Sequence, residues 1–173
     1  MRQQKRVTRH LFYFTKLKAW DTITITAYLF LSLLLWQYSK ISEYSEAGDA
    51  IFCYGIFTQL FLYFMNYKSL RNASVYFFWV LVGFIHFVVY FYLKDNPALQ
   101  IANKHPVTIL RNTIFLLLLF QILRFISLKF QAMELVAVGR GPIDAFDGRK
   151  ITIIDSISTI FYSASTIILS LID

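Results

Sequence analysis

The apolar residues of this chain fall into five long runs separated by short charged segments, at about 22–38, 50–67, 73–93, 111–130 and 151–172. A helix crosses a bilayer with about 20 residues, at 1.5 Å each. The pattern therefore predicts an all-α integral membrane protein with five transmembrane helices. Asp21 stands at the start of the first run as an N-cap, with Thr24 three residues on. The loop 39–49 sets Lys40 against Glu43, Glu46 and Asp49. The turn 68–72 is short and basic, through Lys68 and Arg71, so the second and third runs form a tight helical hairpin. Pro97 and Pro106 punctuate the loop 94–110, with a helical turn over 99–102. The fourth run keeps its helical pattern through 131–138 into water, until Gly139, Arg140, Gly141 and Pro142 break it. The rest of the connector 131–150 is charged, with Asp144, Asp147, Arg149 and Lys150.

The last run differs from the others in having an organised polar face. Thr152, Ser156, Thr159, Ser163, Thr166 and Ser170 recur at alternating spacings of four and three, a heptad seam of small hydroxyl residues. In lipid, small residues and hydroxyls are what bring helices together, at about 0.6 kcal/mol per hydrogen bond. The seam has three readings: packing against its own bundle, self-association into a homo-oligomer, or the lining of a weakly selective pore.

Composition supports the membrane reading. The chain is 57% hydrophobic and only 16% charged, against about 45–50% and 25% in a soluble domain. Its 173 residues suffice for one polytopic membrane domain, 21–173, behind a basic tail, 1–20. The net charge of +7 fits cytoplasmic loops facing anionic headgroups, and makes nucleic acid an unlikely partner. With the N-terminus inside, twelve Lys and Arg face the cytoplasm and four face outward. The expected topology is N-in and C-out. The alternative has four spans and an interfacial C-terminal helix. A lone cysteine, Cys53, excludes an internal disulfide and a cysteine zinc site. Short outer loops and the lack of disulfides suit a bacterial inner membrane, with the chain multi-pass in the plasma membrane. The sequon Asn72-Ala73-Ser74 falls in an inner turn and is not expected to be glycosylated.

The tail carries Arg2, Lys5, Arg6, Arg9, Lys16 and Lys18 without an acid, and Val7, Leu11, Phe14 and Leu17 recur at helical spacing. It reads as a basic amphipathic helix on an anionic surface or as a plain positive-inside tail. Basic residues interrupt it too often for a secretory signal. With Arg140, Arg149 and Lys150 it forms the expected contact for lipid headgroups or a cytoplasmic protein partner.

Polar groups inside spans are costly, so each one is a candidate site. They are Gln59, His86, Gln121, Arg124 and Asp155. Arg124 lies about 9 Å inside the inner end of its span and Asp155 about 6 Å inside the next. That matching depth predicts an ion pair between neighbouring antiparallel helices, or else two side chains that snorkel to the headgroups. His86 reads as a buried, hydrogen-bonded group. A lone histidine is weak for a metal, and a proton relay would find only Asp155 as its acid. The sequence has no GxSxG, HExxH, Walker A or Rossmann motif, and no cofactor or metal is expected. The expectation is a non-enzymatic membrane subunit that self-associates or anchors a cytoplasmic partner. A small homo-oligomeric channel is second and a carrier third.

Overall fold

The computed structural model describes residues 13–41, 44–96, 99, 106–139, 143–144 and 146–172. Among these the protein is all-helical: α1 (Ala19–Ile41), α2 (Tyr44–Phe64), α3 (Ala73–Leu93), α4 (Thr108–Gln131) and α5 (Ile153–Leu171), with no strand. All five are long and apolar enough to cross a membrane. Their exposed faces carry the residues that suit lipid, such as Phe30 and Leu33 on α1, Phe84 and Phe91 on α3, and Ile160 and Ile168 on α5. α3 has the expected bounds, whereas α2 starts six residues earlier than its apolar run.

α4 is the hub, packed against α2, α3 and α5, while α1 leans on α2 at the edge. Two glycines let the backbones close on α4. A Cβ on Gly55 of α2 would sit 2.5 Å from Ile109 Cγ2, and one on Gly83 of α3 would sit 3.3 Å from Ile114 Cα. The main core lies between α2, α3, α4 and α5, around Tyr63, Trp79, Phe120 and Tyr162. Tyr63 and Tyr162 stack with ring centroids 3.9 Å apart. A smaller cluster of Ala47, Ile51, Leu99, Val107, Ile109 and Leu110 closes the end of the bundle where α1, α3 and α5 finish.

The opposite end is a polar base, and it departs from the expected layout in three places. Asp21 is not an N-cap. α1 starts at Ala19, so Asp21 sits in the first turn and its carboxylate accepts from Lys18 N (2.8 Å) and from Ser69 Oγ. Residues 13–18 are not helical. They run beside the α2–α3 turn, with Ala73 N donating to Tyr13 O and Asn72 Nδ2 to Thr15 O. The remainder of the expected amphipathic helix lies outside the described residues. Finally, α4 does not continue through 138. It stops at Gln131, capped by Ala132 in the left-handed region (φ 53°), and 134–139 has no regular secondary structure. Leu135, Val136 and Ala137 are buried, because backbone groups of this segment find partners on α5 and on Arg71.

The close α2–α4 approach makes a prediction. Gly55→Ala forces Ile109 to move, and overpacking of this kind costs about 1–3 kcal/mol. Thermal melts of the purified protein should show a lower midpoint for Gly55→Ala and recovery in Gly55→Ala/Ile109→Ala. An unchanged midpoint for the single variant would show that the helices do not meet there.

Candidate functional site

Halfway along the bundle, α1 and α2 each carry a tyrosine followed four residues later by a hydroxyl: Tyr28 and Ser32, Tyr54 and Thr58. One helical turn puts each pair on one face. Each hydroxyl donates back to the carbonyl of its own tyrosine, Ser32 Oγ to Tyr28 O (2.8 Å) and Thr58 Oγ1 to Tyr54 O (2.7 Å). The phenols then cross over. Tyr28 OH meets Thr58 Oγ1 (3.3 Å) and Tyr54 OH meets Ser32 Oγ (2.7 Å), with the two rings stacked at 5.5 Å. His86 of α3 closes the clasp, with Nε2 at 3.0 Å from Tyr28 OH and 3.2 Å from Tyr54 OH. Its Nδ1 is 3.2 Å from Thr113 Oγ1 of α4. Four helices thus meet at one imidazole.

The hydrogens of this network are engaged inside it. A hydroxyl has one hydrogen, and those of Ser32 and Thr58 go to carbonyls, which only accept. The Tyr54 hydrogen then goes to Ser32 Oγ, and that of Tyr28 to Thr58 Oγ1 or to His86 Nε2. The hydrogen of the neutral ring faces the phenol oxygens from Nε2 or Thr113 Oγ1 from Nδ1, according to the tautomer.

The clasp is the floor of a cavity of about 660 Å³ between α1, α2 and α3. Among the described residues its lining is otherwise apolar apart from a few polar groups such as Ser39 and Asn96, with Leu35, Ile51, Val82, Val89 and Leu110 in the wall, and it contains no Lys, Arg, Asp or Glu. Leu29 and Trp36 on α1, with Ile85, Val88 and Tyr92 on α3, line it and are also exposed on the outer surface. The cavity therefore opens sideways between α1 and α3. Asn96 and Leu99 line it toward the end of the bundle.

The other candidates lie at the base and do not pair as the sequence suggests. The expected Arg124–Asp155 ion pair is replaced by two others. Arg124, fully buried, makes a two-pronged contact with Glu134 at 2.7 and 2.8 Å, and Nη1 reaches Gln121 Oε1 (3.4 Å). Asp155 takes Arg149 (2.8 Å), the Thr152 hydroxyl (2.7 Å) and Val136 N (3.2 Å). The cause is the fold-back of 134–139, which carries Glu134 to Arg124 between the two helices. Arg149 Nη2 joins the halves by also donating to Glu134 O (2.7 Å). The chain of charge runs on through Arg71, 3.8 Å from Glu134 and 2.7 Å from Asp147, to Lys68 at 2.9 Å from Asp147. Tyr67 OH donates to both oxygens of Asp144 at 2.7 Å; burial and that carboxylate push the phenol up. Gln121 Nε2 donates to Leu70 O (3.3 Å), and Gln59 Nε2 to Ile109 O (2.7 Å).

The hydroxyl seam of α5 divides. Thr152 is the N-cap in a capping box with Asp155. Thr159 is buried, bonded to Tyr63 OH (3.1 Å) and to Val138 N (3.0 Å), and Thr166 is buried with its hydroxyl on Tyr162 O. Ser156, Ser163 and Ser170 are half-buried, at the margin of the packed face. That face, Asp155, Ser158, Thr159, Tyr162 and Thr166, is turned about 60° from the middle of the seam at 100° per residue. Lys16, Lys18 and Lys150 are exposed, whereas Arg149 is held inside the base. Arg2, Lys5, Arg6, Arg9 and Arg140 lie outside the described residues. Comparison with protein-family models, with curated proteins and with solved structures finds no match to this chain.

Sequence reasoning picked out His86 but missed Tyr28, Ser32, Tyr54, Thr58, Thr113 and Glu134. The tyrosine-hydroxyl pair at i and i+4 was the available signal, an unspecific one because it occurs in three apolar runs, at Tyr28/Ser32, Tyr54/Thr58 and Tyr162/Thr166.

Two predictions test the base. Removing one partner of a buried pair costs about 3–5 kcal/mol. Arg124→Leu should therefore destabilise strongly, Arg124→Leu/Glu134→Leu should recover much of the loss, and Arg124→Leu/Asp155→Leu should not. Melting midpoints decide between them, and recovery through Asp155 would restore the direct pair. The second concerns pH. Burial raises the Asp147 carboxyl, but Arg71 and Lys68 outweigh it and hold the group below its ordinary value of 3.8. A depressed folded value gives stability that is complete above pH 3.8 and lost as the pH falls through the folded value. Asp147→Asn should melt lower at neutral pH and lose less on acidification. An acid limb as steep as that of the wild type would count against it.

Proposed function

We propose that this chain is a non-enzymatic multi-pass membrane protein that takes one lipid-soluble molecule at a time into the cavity between α1, α2 and α3. The observation that carries the reading is the combination of a lateral opening, an apolar wall and a polar floor. Pockets of about 300–1,000 Å³ hold a drug-sized ligand, with few polar groups to orient it; this one is about 660 Å³. A molecule dissolved in the bilayer would slide in between α1 and α3 without passing through water. The network supports binding over chemistry: both nitrogens of His86 are occupied by hydroxyls, and among the described residues the cavity lining holds no carboxylate, thiol or lysine. Bound there, a molecule is withdrawn from the bilayer, which suits a carrier or a sensor.

In this reading the base faces the cytoplasm, as the Lys and Arg distribution implies, and Lys16, Lys18 and Lys150 meet anionic headgroups or a cytoplasmic protein partner. The half-buried Ser156, Ser163 and Ser170 favour a second reading, self-association along the free edge of α5, because this edge has small hydroxyl groups that the bundle leaves uncovered. A pore along the same seam has less support, since Thr159 and Thr166 are turned into the bundle.

The test is to block the cavity away from its floor. Wild-type protein in nanodiscs, incubated with 2-hexadecanol and passed through gel filtration, should retain the alcohol in a saturable one-to-one ratio by mass spectrometry. Val89→Trp should melt like the wild type and retain less than about a tenth as much. Equal retention by both proteins would show that the alcohol sits in the surrounding lipid and would sink the proposal.

A further inference from the structure

The floor of the cavity carries more information than its polarity, and this step rests on the cavity being the binding site. Every hydroxyl and ring hydrogen of the clasp is already donated inside the protein. The hydrogens of Ser32 and Thr58 go to backbone carbonyls, that of Tyr54 to Ser32, that of Tyr28 to Thr58 or to His86 Nε2, and that of the imidazole to the phenol oxygens or, in the other tautomer, to Thr113. What remains is lone pairs. Ser32 Oγ and Tyr54 OH are the half-buried members of the floor, and each has an acceptor position left over. Tyr28 and His86 lie deeper, each with 6% exposure.

We infer that the cavity selects an uncharged, largely apolar molecule whose polar end donates a hydrogen bond, that is, a lipid alcohol, with its hydroxyl on Ser32 Oγ and Tyr54 OH. A ketone, ester or ether of the same shape brings only lone pairs to a floor of lone pairs. It must break an internal bond of the clasp to be satisfied, or else stay unpaired in an apolar wall. A carboxylate or ammonium end is disfavoured by desolvation at this floor, because among the described residues none of opposite charge lines the cavity. An alcohol leaves the clasp intact and adds one bond to it.

The inference makes a prediction in which the preference changes sign. Ser32 is the acceptor of the Tyr54 hydrogen. In Ser32→Ala that hydrogen is released toward the cavity, and the floor becomes a donor. The probes are 2-hexadecanol, 2-hexadecanone and hexadecanoate, competed in equimolar pairs on protein in nanodiscs, with the retained probe measured by mass spectrometry after gel filtration. The wild type should retain the alcohol over the ketone by about three- to tenfold, the worth of one hydrogen bond, and should exclude hexadecanoate. Ser32→Ala should retain the ketone better than the wild type does and reverse the order. Equal saturable retention of alcohol and ketone by the wild type would overturn the inference and leave the cavity standing, as would binding of hexadecanoate. Retention of no probe, or equal retention by Val89→Trp, would overturn the cavity reading itself. The wild-type ratio decides the matter even if Ser32→Ala fails to fold, which a melting curve shows directly.

Discussion

In a bilayer the hydrophobic effect gives one helix no reason to meet another, so a peripheral helix must be held by packing and by polar contacts. α1 is the extreme case. Its outward residues are exposed over most of its length, and among the helices it packs chiefly on α2. Its start is tied to the α2–α3 connection through Trp20 on Asn66 and Asp21 on Ser69, and what fixes its middle is the clasp. Tyr28 lies edge-on against Trp79 at 4.8 Å and bonds to Thr58 and His86, while Ser32 receives Tyr54. His86 makes this a four-helix joint, because its two nitrogens serve opposite sides, the α1–α2 phenols on one and Thr113 of α4 on the other. The cavity exists on these terms: its floor is the joint, and its walls are the lengths of α1 and α3 beyond it.

The bundle has two polar layers of different chemistry. The base holds its charges in pairs: Arg124 with Glu134, Arg149 with Asp155, Arg71 and Lys68 with Asp147. The mid-depth layer is neutral throughout. Depth explains the difference. Near an end of the bundle, a connector can fold back and supply counter-charge and backbone donors, as 134–139 does. At the middle, only the helices themselves are present, and they can offer hydroxyls and an imidazole without the cost of a buried ion. A neutral layer whose hydrogens are engaged with one another is what the proposed recognition role rests on.

Much of the fold was legible in the sequence. The five apolar runs are five helices, because apolar length alone decides which segments suit a bilayer, but the expected α2–α3 hairpin is not formed: Lys68 and Arg71 lie in the connection 65–72, and α2 and α3 each pack mainly on α4 instead of on each other. The connector 131–150 was not legible. Gly139 and Pro142 looked like the stop, but the chain leaves the helix at Ala132, and an alanine in the left-handed region has no signature in sequence. Everything that followed from this was hidden, including the partner exchange that gives Arg124 to Glu134 and Asp155 to Arg149. Depth suggested Arg124 and Asp155 as partners but could not see that the connector supplies a different partner to each, Glu134 and Arg149. The site was half legible. His86 stood out because an imidazole in an apolar run is rare, whereas Tyr28 and Tyr54 were hidden among eleven tyrosines, most of which read as packing residues.

The hydroxyls of α5 and those of the clasp show why the count of polar residues in a span is a poor guide to its role. The α5 seam is longer and more regular, yet its members bond mainly to their own helix and to the base: Thr166 and Ser170 to carbonyls of α5, Thr152 in its cap, Thr159 to Val138. Such a hydroxyl is satisfied before any partner arrives, so it permits close packing without demanding it. In the clasp, the Ser32 and Thr58 hydrogens are likewise satisfied locally, but this leaves each oxygen able only to accept from the opposite helix. The direction of the bonds follows from four residues of spacing in two helices, and through the phenols it reaches His86. The difference between a smooth helix face and a site is therefore the reciprocal pair on the facing helix: Tyr162 and Thr166 repeat the tyrosine-hydroxyl spacing on α5, but the Tyr162 phenol goes to Gln59 O and among the described residues no crossed hydroxyl answers it.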